Sequence, residues 1–210
     1  MKKITSYSKI QAIIGSIVRC RAVFNRTQKN GSAKLLNVGC GPYPKHEFIN
    51  LDYSWHPGID ICWDITRKPF PLASGSLEGI YTEHCLEHIG FESMKTNLRE
   101  FYRLLKPGGM VRIVMPDGEI YLDIYQKRKQ GSNELMPYEE GYITPMARIN
   151  GIFRNHGHLF IYDFETMKRL MEEVGFKSIK KCSFRIGSDQ RLLIDQEVRA
   201  VESLYVEAVK

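Results

Sequence analysis

No run among the 210 residues comes near the ~20 apolar positions that cross a bilayer. The start, Met1-Lys-Lys-Ile-Thr-Ser-Tyr-Ser-Lys9, is basic, but the next residues are too polar and interrupted for a secretory core, so a cytoplasmic location is expected. Cysteine is sparse: Cys20, Cys40, Cys62, Cys85 and Cys182 are odd in number and include no C-x-x-C pair. That excludes a disulfide framework or a cysteine zinc site as the expectation and favours reduced thiols. Acid is missing from residues 1–46, which hold nine Lys or Arg; with a net charge of +6, the rest of the chain must sum to −3. The sequence pI of about 9.0 therefore comes from one end, and the charge gives no reason to expect a nucleic-acid partner. Internal repeats and low-complexity tracts are missing too.

What is there has the composition of an ordinary globular protein, 43% hydrophobic and 26% charged, with length for one domain and an appendage. Ile10, Ile13, Ile14, Ile17 and Val18, with Phe24 beyond, recur on one face of a helix predicted over 9–24. Residues 1–33 are thus read as a basic amphipathic helix and linker, and 34–210 as the domain. A helix of this kind can dock on the protein or touch a membrane surface through residues 1–25, and docking is favoured. Strands are predicted at 34–39, 47–53, 59–63, 77–84 and 110–115, and a last pair at 176–185 and 203–209 as an antiparallel hairpin with a long excursion. Helices are predicted at 91–105, ended by Lys106-Pro-Gly-Gly109, and at 164–174 behind the cap Asp163, with a further candidate at 117–129. Residues 130–160, polar and rich in glycine and proline, read as an insertion near the site. The fold class expected is α/β, an open, mostly parallel, doubly wound sheet.

Two strand ends stand out. Leu35-Leu-Asn-Val-Gly-Cys-Gly41 runs from apolar strand to glycine turn, and Phe48-Ile-Asn-Leu-Asp52 ends in a carboxylate. Glycine lets backbone approach a ligand, and such a carboxylate can accept from ribose hydroxyls. A dinucleotide fold has about 20 residues between these features; here Gly41 and Asp52 are eleven apart. A parallel crossover normally needs a dozen or more residues, so the first crossover is shortened, and helix 9–24 is expected to pack where its helix would sit. The shortening also speaks against a nicotinamide enzyme, which uses a helix N-terminus for its pyrophosphate.

Asn37-Val-Gly-Cys-Gly41, Asp52, Asp64-Ile65, Pro69-Phe-Pro71, Tyr81-Thr-Glu-His-Cys-Leu-Glu-His-Ile89, Leu105-Lys-Pro-Gly-Gly109 and His158-Leu-Phe-Ile-Tyr-Asp-Phe-Glu-Thr-Met167 occur in this order. With them the chain resembles the class I S-adenosylmethionine-dependent methyltransferases, nearest the type 11 group associated with sugar and surface-polysaccharide pathways. The resemblance implies S-adenosylmethionine as cofactor. It places Gly39, Cys40 and Gly41 against the methionine and ribose, and Asp52, with Tyr53 beside it, at the ribose hydroxyls. Asp64 and Ile65 would meet the adenine, and Glu83 and His84 the sulfonium end.

The implied activity is methylation of a small-molecule or carbohydrate acceptor, at oxygen, with a histidine as base. His158, His84 and His156 are the candidates, with Glu83 as a carboxylate option. Other readings stand beside this one. His84 and His88, four apart, could hold a metal, but core or capping histidines are favoured and no metal is assigned. Glu83 and Glu87 could be paired acid and base; cofactor contact and surface, respectively, are favoured. Cys40 could be a nucleophile but suits a small side chain in a tight turn. Tyr138, Tyr142, Phe153 and Phe160 either shape an acceptor pocket or pack the insertion. A nucleic-acid methyltransferase would call for an Asp/Asn-Pro-Pro-Tyr segment where Tyr81-Thr-Glu-His84 stands. A cofactor-binding partner subunit without turnover is the remaining alternative.

Overall fold

Seven strands hydrogen-bond into one sheet in the order β3-β2-β1-β4-β5-β7-β6 in the computed structural model, which describes residues 9–20, 34–67 and 69–210. β1 (Leu35–Val38), β2 (Phe48–Asp52), β3 (Ile61–Cys62), β4 (Leu77–Glu83) and β5 (Leu105–Pro116) run parallel, while β7 (Ser203–Val209) lies antiparallel between β5 and β6 (Lys177–Cys182). The near-continuous apolar runs of β1 and β2 follow from this: a parallel sheet is covered on both faces, and every residue of β1 is buried. The chain order reverses between β1 and β4, and ligands of open α/β sheets bind outside the carboxyl ends of the strands at such a switch point.

One face carries α2 (Phe91–Leu104) and α5 (Phe164–Val174), whose Leu98, Phe101, Met167 and Met171 bury against Leu36, Ile80 and Ile113 of the sheet. α5 has the expected ends, with the Asp163 carboxylate accepting from Thr166 N and Gly175 closing it at φ +108°. β5 starts five residues ahead of the expected 110, because Leu105 already pairs with Leu77; the register then shifts before Gly79 meets Met110. α3 (Gly118–Lys129) comes next, capped by Asp117.

Two expectations are corrected. The stretch read as irregular contains α4 (Pro145–Arg154), whose start has a Thr144 cap on Ala147 N and proline in its first turn. The second correction concerns the shortened crossover. Residues 39–47 indeed join β1 to β2 without a helix. Over the sheet face at this point, however, Leu192 of the excursion between β6 and β7 packs with Leu35 and Phe48. A Cβ on Gly79 would stand 2.8 Å from Leu35 and 3.0 Å from Leu192, so the two elements meet directly over β4. The N-terminal helix α1 (Lys9–Val18) lies elsewhere, at the carboxyl edge of β2 and β3. There Val18 and Trp55 pack on Ile59 and Cys62, and the Arg19 guanidinium lies 3.6 Å over the Tyr53 ring. Residues 21–24 of the expected helix, with Phe24, lie outside the described residues, as does most of segment 1–25 that was weighed for membrane contact. No helix among the described residues is long and apolar enough to cross a membrane.

The excursion is held by charge. Arg112, fully buried in β5, donates to Asp195 at 2.9 and 2.5 Å and to Glu207 of β7 at 2.9 Å, and also to the carbonyls of Ser183 and Ile186. One guanidinium thus ties the start and the middle of the 183–202 segment to the sheet.

Candidate functional site

Gly39 and Gly41 both adopt left-handed backbone, φ +68° and +54°, but for different reasons. A Cβ on Gly39 would overlap the Cys85 side chain, with Cys85 Cβ only 2.6 Å away, so this glycine is demanded by packing between the ends of β1 and β4. A Cβ on Gly41 would meet nothing within 4 Å. That open face is where a ligand can approach backbone.

Every N–H of the turn is already engaged. Gly39 N and Cys40 N both donate to the Leu51 carbonyl, at 2.8 and 3.2 Å, and Gly41 N donates to Asp52 Oδ2 at 2.9 Å. The other carboxylate oxygen of Asp52 accepts from Ser54 N at 2.7 Å. The Asp52 carboxylate is thereby fixed beside the open face of Gly41, with lone pairs left to accept further donors. No helix begins here, so the fan of free N–H groups that binds a phosphate is not built.

Along the same edge, Tyr53 is exposed beneath Arg19. Asp64 is buried and occupied by its own turn: Oδ1 accepts from Thr66 N and Thr66 Oγ1 at 3.0 and 2.6 Å, and Oδ2 lies 3.1 Å from Arg67. Ile65 packs on the core, and its carbonyl accepts from Asn97. Cys40 is buried, and burial raises its thiol pKa, which disfavours the thiolate. A cleft beside the turn is lined by Gly39, Cys40, Tyr43, Lys45, Glu83, Ile194 and Gln196, among others. Glu83 has both oxygens held by Gln196, through its backbone N and its Nε2, each at 2.9 Å. Burial raises the Glu83 pKa against these hydrogen bonds. The excursion thus reaches the glycine turn, which nothing in the sequence signals.

Past β4 the chain makes one tight turn, Leu86–His88. His84 enters it at φ +46°, a conformation rare outside glycine. Its Nε2 lies 2.8 Å from Ser203 Oγ, at the start of β7. Glu87, expected at the surface, is fully buried instead, because this turn folds under the loop before α5; the loop donates Leu159 N to the Glu87 carbonyl at 2.8 Å. Burial pushes its carboxyl pKa up to about 8. The same loop delivers His158, whose Nδ1 lies 2.7 Å from the Ile152 carbonyl at the end of α4. Burial depresses all three imidazoles of this pocket, His84 to about 3, His88 to about 4, and His158 in the same direction. Burial thus disfavours their charged form and keeps them neutral at pH 7. His156 is exposed, its ring centroid 5.7 Å from that of His158.

The structure therefore gathers Gly39, Gly41, Asp52 and Glu83 at one side of the switch point and His84 and His158 at the other. Asp64 and Ile65 lie along the β3 edge, and His156 at the rim of the histidine pocket. Among the insertion aromatics, Tyr142 packs on Gly151, where a Cβ would overlap its hydroxyl, and Phe160 stacks between Phe91 and Tyr162. Tyr142 thus packs within the insertion, and Phe160 packs its end against α2.

The family model described as "Methyltransferase domain" matches residues 17–181. The chain is similar in structure to a SAM dependent methyltransferase from Archaeoglobus fulgidus, at 16% identity and a TM-score of 0.51, over 95% of this chain and 94% of that one. It is also similar to a SAM-dependent methyltransferase, possible histamine N-methyltransferase, from Thermotoga maritima, at 15% identity and a TM-score of 0.50, over 84% of this chain and 82% of that one. Both likenesses are of fold. No curated protein sequence matches the chain.

Proposed function

The chain belongs to the methyltransferase-domain family, in which S-adenosylmethionine is the methyl donor, and from that premise we propose that it methylates a small-molecule acceptor of the sugar or surface-polysaccharide class, at oxygen. The observation that carries this reading is the pairing of the open Gly41 face with the fixed Asp52 carboxylate in a turn that offers no phosphate site. A ribose with an amino-acid arm fits such a corner, and a pyrophosphate does not. When bound, the cofactor supplies a methyl group activated by its sulfonium charge. Asp52 would hold the ribose hydroxyls, Gly39 and Gly41 the neighbouring backbone approach, and Asp64 with Ile65 the adenine.

For the chain itself the main task is alignment in a dry site, where well-oriented reactants gain ~7–11 kcal/mol. An alcohol must also lose its proton, and a placed base contributes roughly 10²–10⁴ in rate. The histidines past β4 are the candidates for that role by position: His158 and His84 in the pocket, His156 at its rim. The acceptor class is supported by the resemblance to the type 11 group. A cytoplasmic setting and a weak contact of residues 1–25 with a membrane surface belong to the same reading, the latter supported by the exposure of Ile13 and Ile17 on α1.

Calorimetric titration with S-adenosylhomocysteine, with NADH and an Asp52→Ala variant as controls, tests the core of it. Micromolar binding that weakens at least tenfold in the variant is expected. Binding without turnover on any alcohol acceptor would favour a partner-subunit role, and no binding by the folded protein would sink the reading.

A further inference from the structure

Glu87 has no exposed surface, and neither of its carboxylate oxygens has a hydrogen-bond donor among the described residues. An unpaired buried carboxylate is costly, so its surroundings carry information. Three ring nitrogens face the same oxygen: His84 Nδ1 at 3.5 Å, His88 Nε2 at 3.7 Å and His158 Nε2 at 4.0 Å.

The outer contacts of the rings fix which of these nitrogens carry hydrogen. His158 Nδ1 must donate to the Ile152 carbonyl, which leaves a lone pair on Nε2. His88 Nδ1 lies beside the Gly157 backbone, 3.9 Å from where a Cβ would stand there, while its Nε2 faces Glu87. Ser203 Oγ donates to the Arg199 carbonyl at 2.7 Å and so accepts from His84 Nε2, leaving the lone pair on Nδ1. With Glu87 ionised, lone pairs and carboxylate oxygen therefore converge on one point. Such acceptors repel one another unless a cation lies among them, and backbone carbonyls orienting the outer nitrogens are how metal-ligating histidines are held.

We propose that Glu87, His88 and His158 bind a divalent first-row transition metal ion of the zinc class. One ligand atom from each lies within 4.8 Å of the others. Ligands at ~2.0–2.2 Å from a tetrahedral zinc stand about 3.4 Å apart, so closure needs side-chain shifts of a few tenths of an ångström to about 1 Å. Two imidazoles and one carboxylate form the donor set of open zinc sites, with a position left for water or substrate. The mixed nitrogen set disfavours magnesium and calcium, which take oxygen. His84 flanks the site as a further nitrogen. The backbone is bent to build it: His84, His156 and Gly157 all hold positive φ, at +46°, +61° and +83°. Metal binding stands independently of the proposed function. Its use, lowering the pKa of a bound acceptor hydroxyl beside the methyl donor, rests on that reading.

The test uses the full chain, stripped with chelator, dialysed against zinc(II) and analysed for metal content and by competition with a chromophoric chelator. One zinc per chain is expected, with cobalt(II) giving the visible absorption of a four- or five-coordinate nitrogen and oxygen site. Glu87→Gln and His158→Gln should weaken zinc binding about 100-fold or more, and His46→Gln, at a distant exposed histidine, should not. Wild-type protein that binds S-adenosylhomocysteine but no zinc would overturn the proposal while leaving the cofactor reading intact. Stoichiometric zinc held equally well by both ligand variants would overturn it too. The cobalt spectrum of the wild type keeps the test decisive should a variant fail to fold.

Discussion

At the carboxyl ends of β1 and β2 the glycine turn and its carboxylate find their partners close by in sequence: Gly41 N on the Asp52 carboxylate eleven residues on, and Asp52 also on Ser54 N two residues on. At the carboxyl end of β4 the opposite holds. Glu87 faces His158 from beyond α3 and α4, His84 leans on Ser203 of β7 at 119 residues' separation, and Glu83 is held by Gln196 at 113. The first region is a preformed, satisfied cradle with one open face. The second is assembled largely from distant segments and converges a buried carboxyl group and three imidazole nitrogens. Satisfied groups suit a neutral ribose that adds hydrogen bonds; converging acceptors suit something that brings positive charge. One molecule thus shows two ways of preparing for a ligand.

The sharpest way to break the comparison is to cut what both regions share, the excursion tied down by Arg112. Arg112→Met leaves Asp195 and Glu207 buried without their cation, which costs about 3–5 kcal/mol. For a chain of this size each kcal/mol is roughly 2–4 °C, so a melting temperature lower by about 6–20 °C is expected by circular dichroism. Arg112→Lys should rescue little, since an ammonium cannot copy the fork of contacts to Asp195. If Arg112→Met melts like the wild type, the excursion is not the roof of the site.

The two glycines come next, because they separate packing from ligand approach. Gly39→Ala must displace Cys85 and bear a left-handed alanine, a loss of about 2–4 kcal/mol in stability. Gly41→Ala meets open space, so only the backbone cost of about 1–2 kcal/mol applies, while S-adenosylhomocysteine affinity should fall at least tenfold. Denaturant melts and calorimetry on both variants check this. Equal stability losses, or unchanged affinity in Gly41→Ala, would remove the distinction drawn between them.

The cradle is legible in the sequence because its parts are local. A strand, a glycine turn and a carboxylate eleven residues on are a pattern that neighbouring residues create, and the hydrophobic periods place α2, α5 and most strands for the same reason. Glu87 reads as a surface residue because burial is decided by what folds over it. A tight turn beneath the loop before α5 leaves no periodic mark, and Glu-His at 83–84 repeated at 87–88 is the only hint. Leu192 over β1 and Gln196 on Glu83 are equally illegible, since an excursion with no regular element can land on either face. α4 does leave a signal: Thr144-Pro145 is a helix start, but the surrounding glycines outweigh it.

The smallest effect comes from that same start signal. Thr144 is exposed, and its one described role is the hydrogen bond from Ala147 N to its hydroxyl at the head of α4. Thr144→Ala should cost about 1 kcal/mol, a melting shift of roughly 2–4 °C. Yet α4 presents at its far end the Ile152 carbonyl that orients His158. A frayed first turn leaves that carbonyl in place, because Ile149 and Ile152 are buried against Tyr121 and Ile124 of α3. Zinc affinity should therefore change less than tenfold and S-adenosylhomocysteine affinity not at all. A large loss of zinc affinity with a small melting shift would show instead that α4 is held mainly by its cap, so that the histidine side depends on one exposed threonine. That would make the contrast with the cradle sharper, since the cradle draws its order from the centre of the sheet.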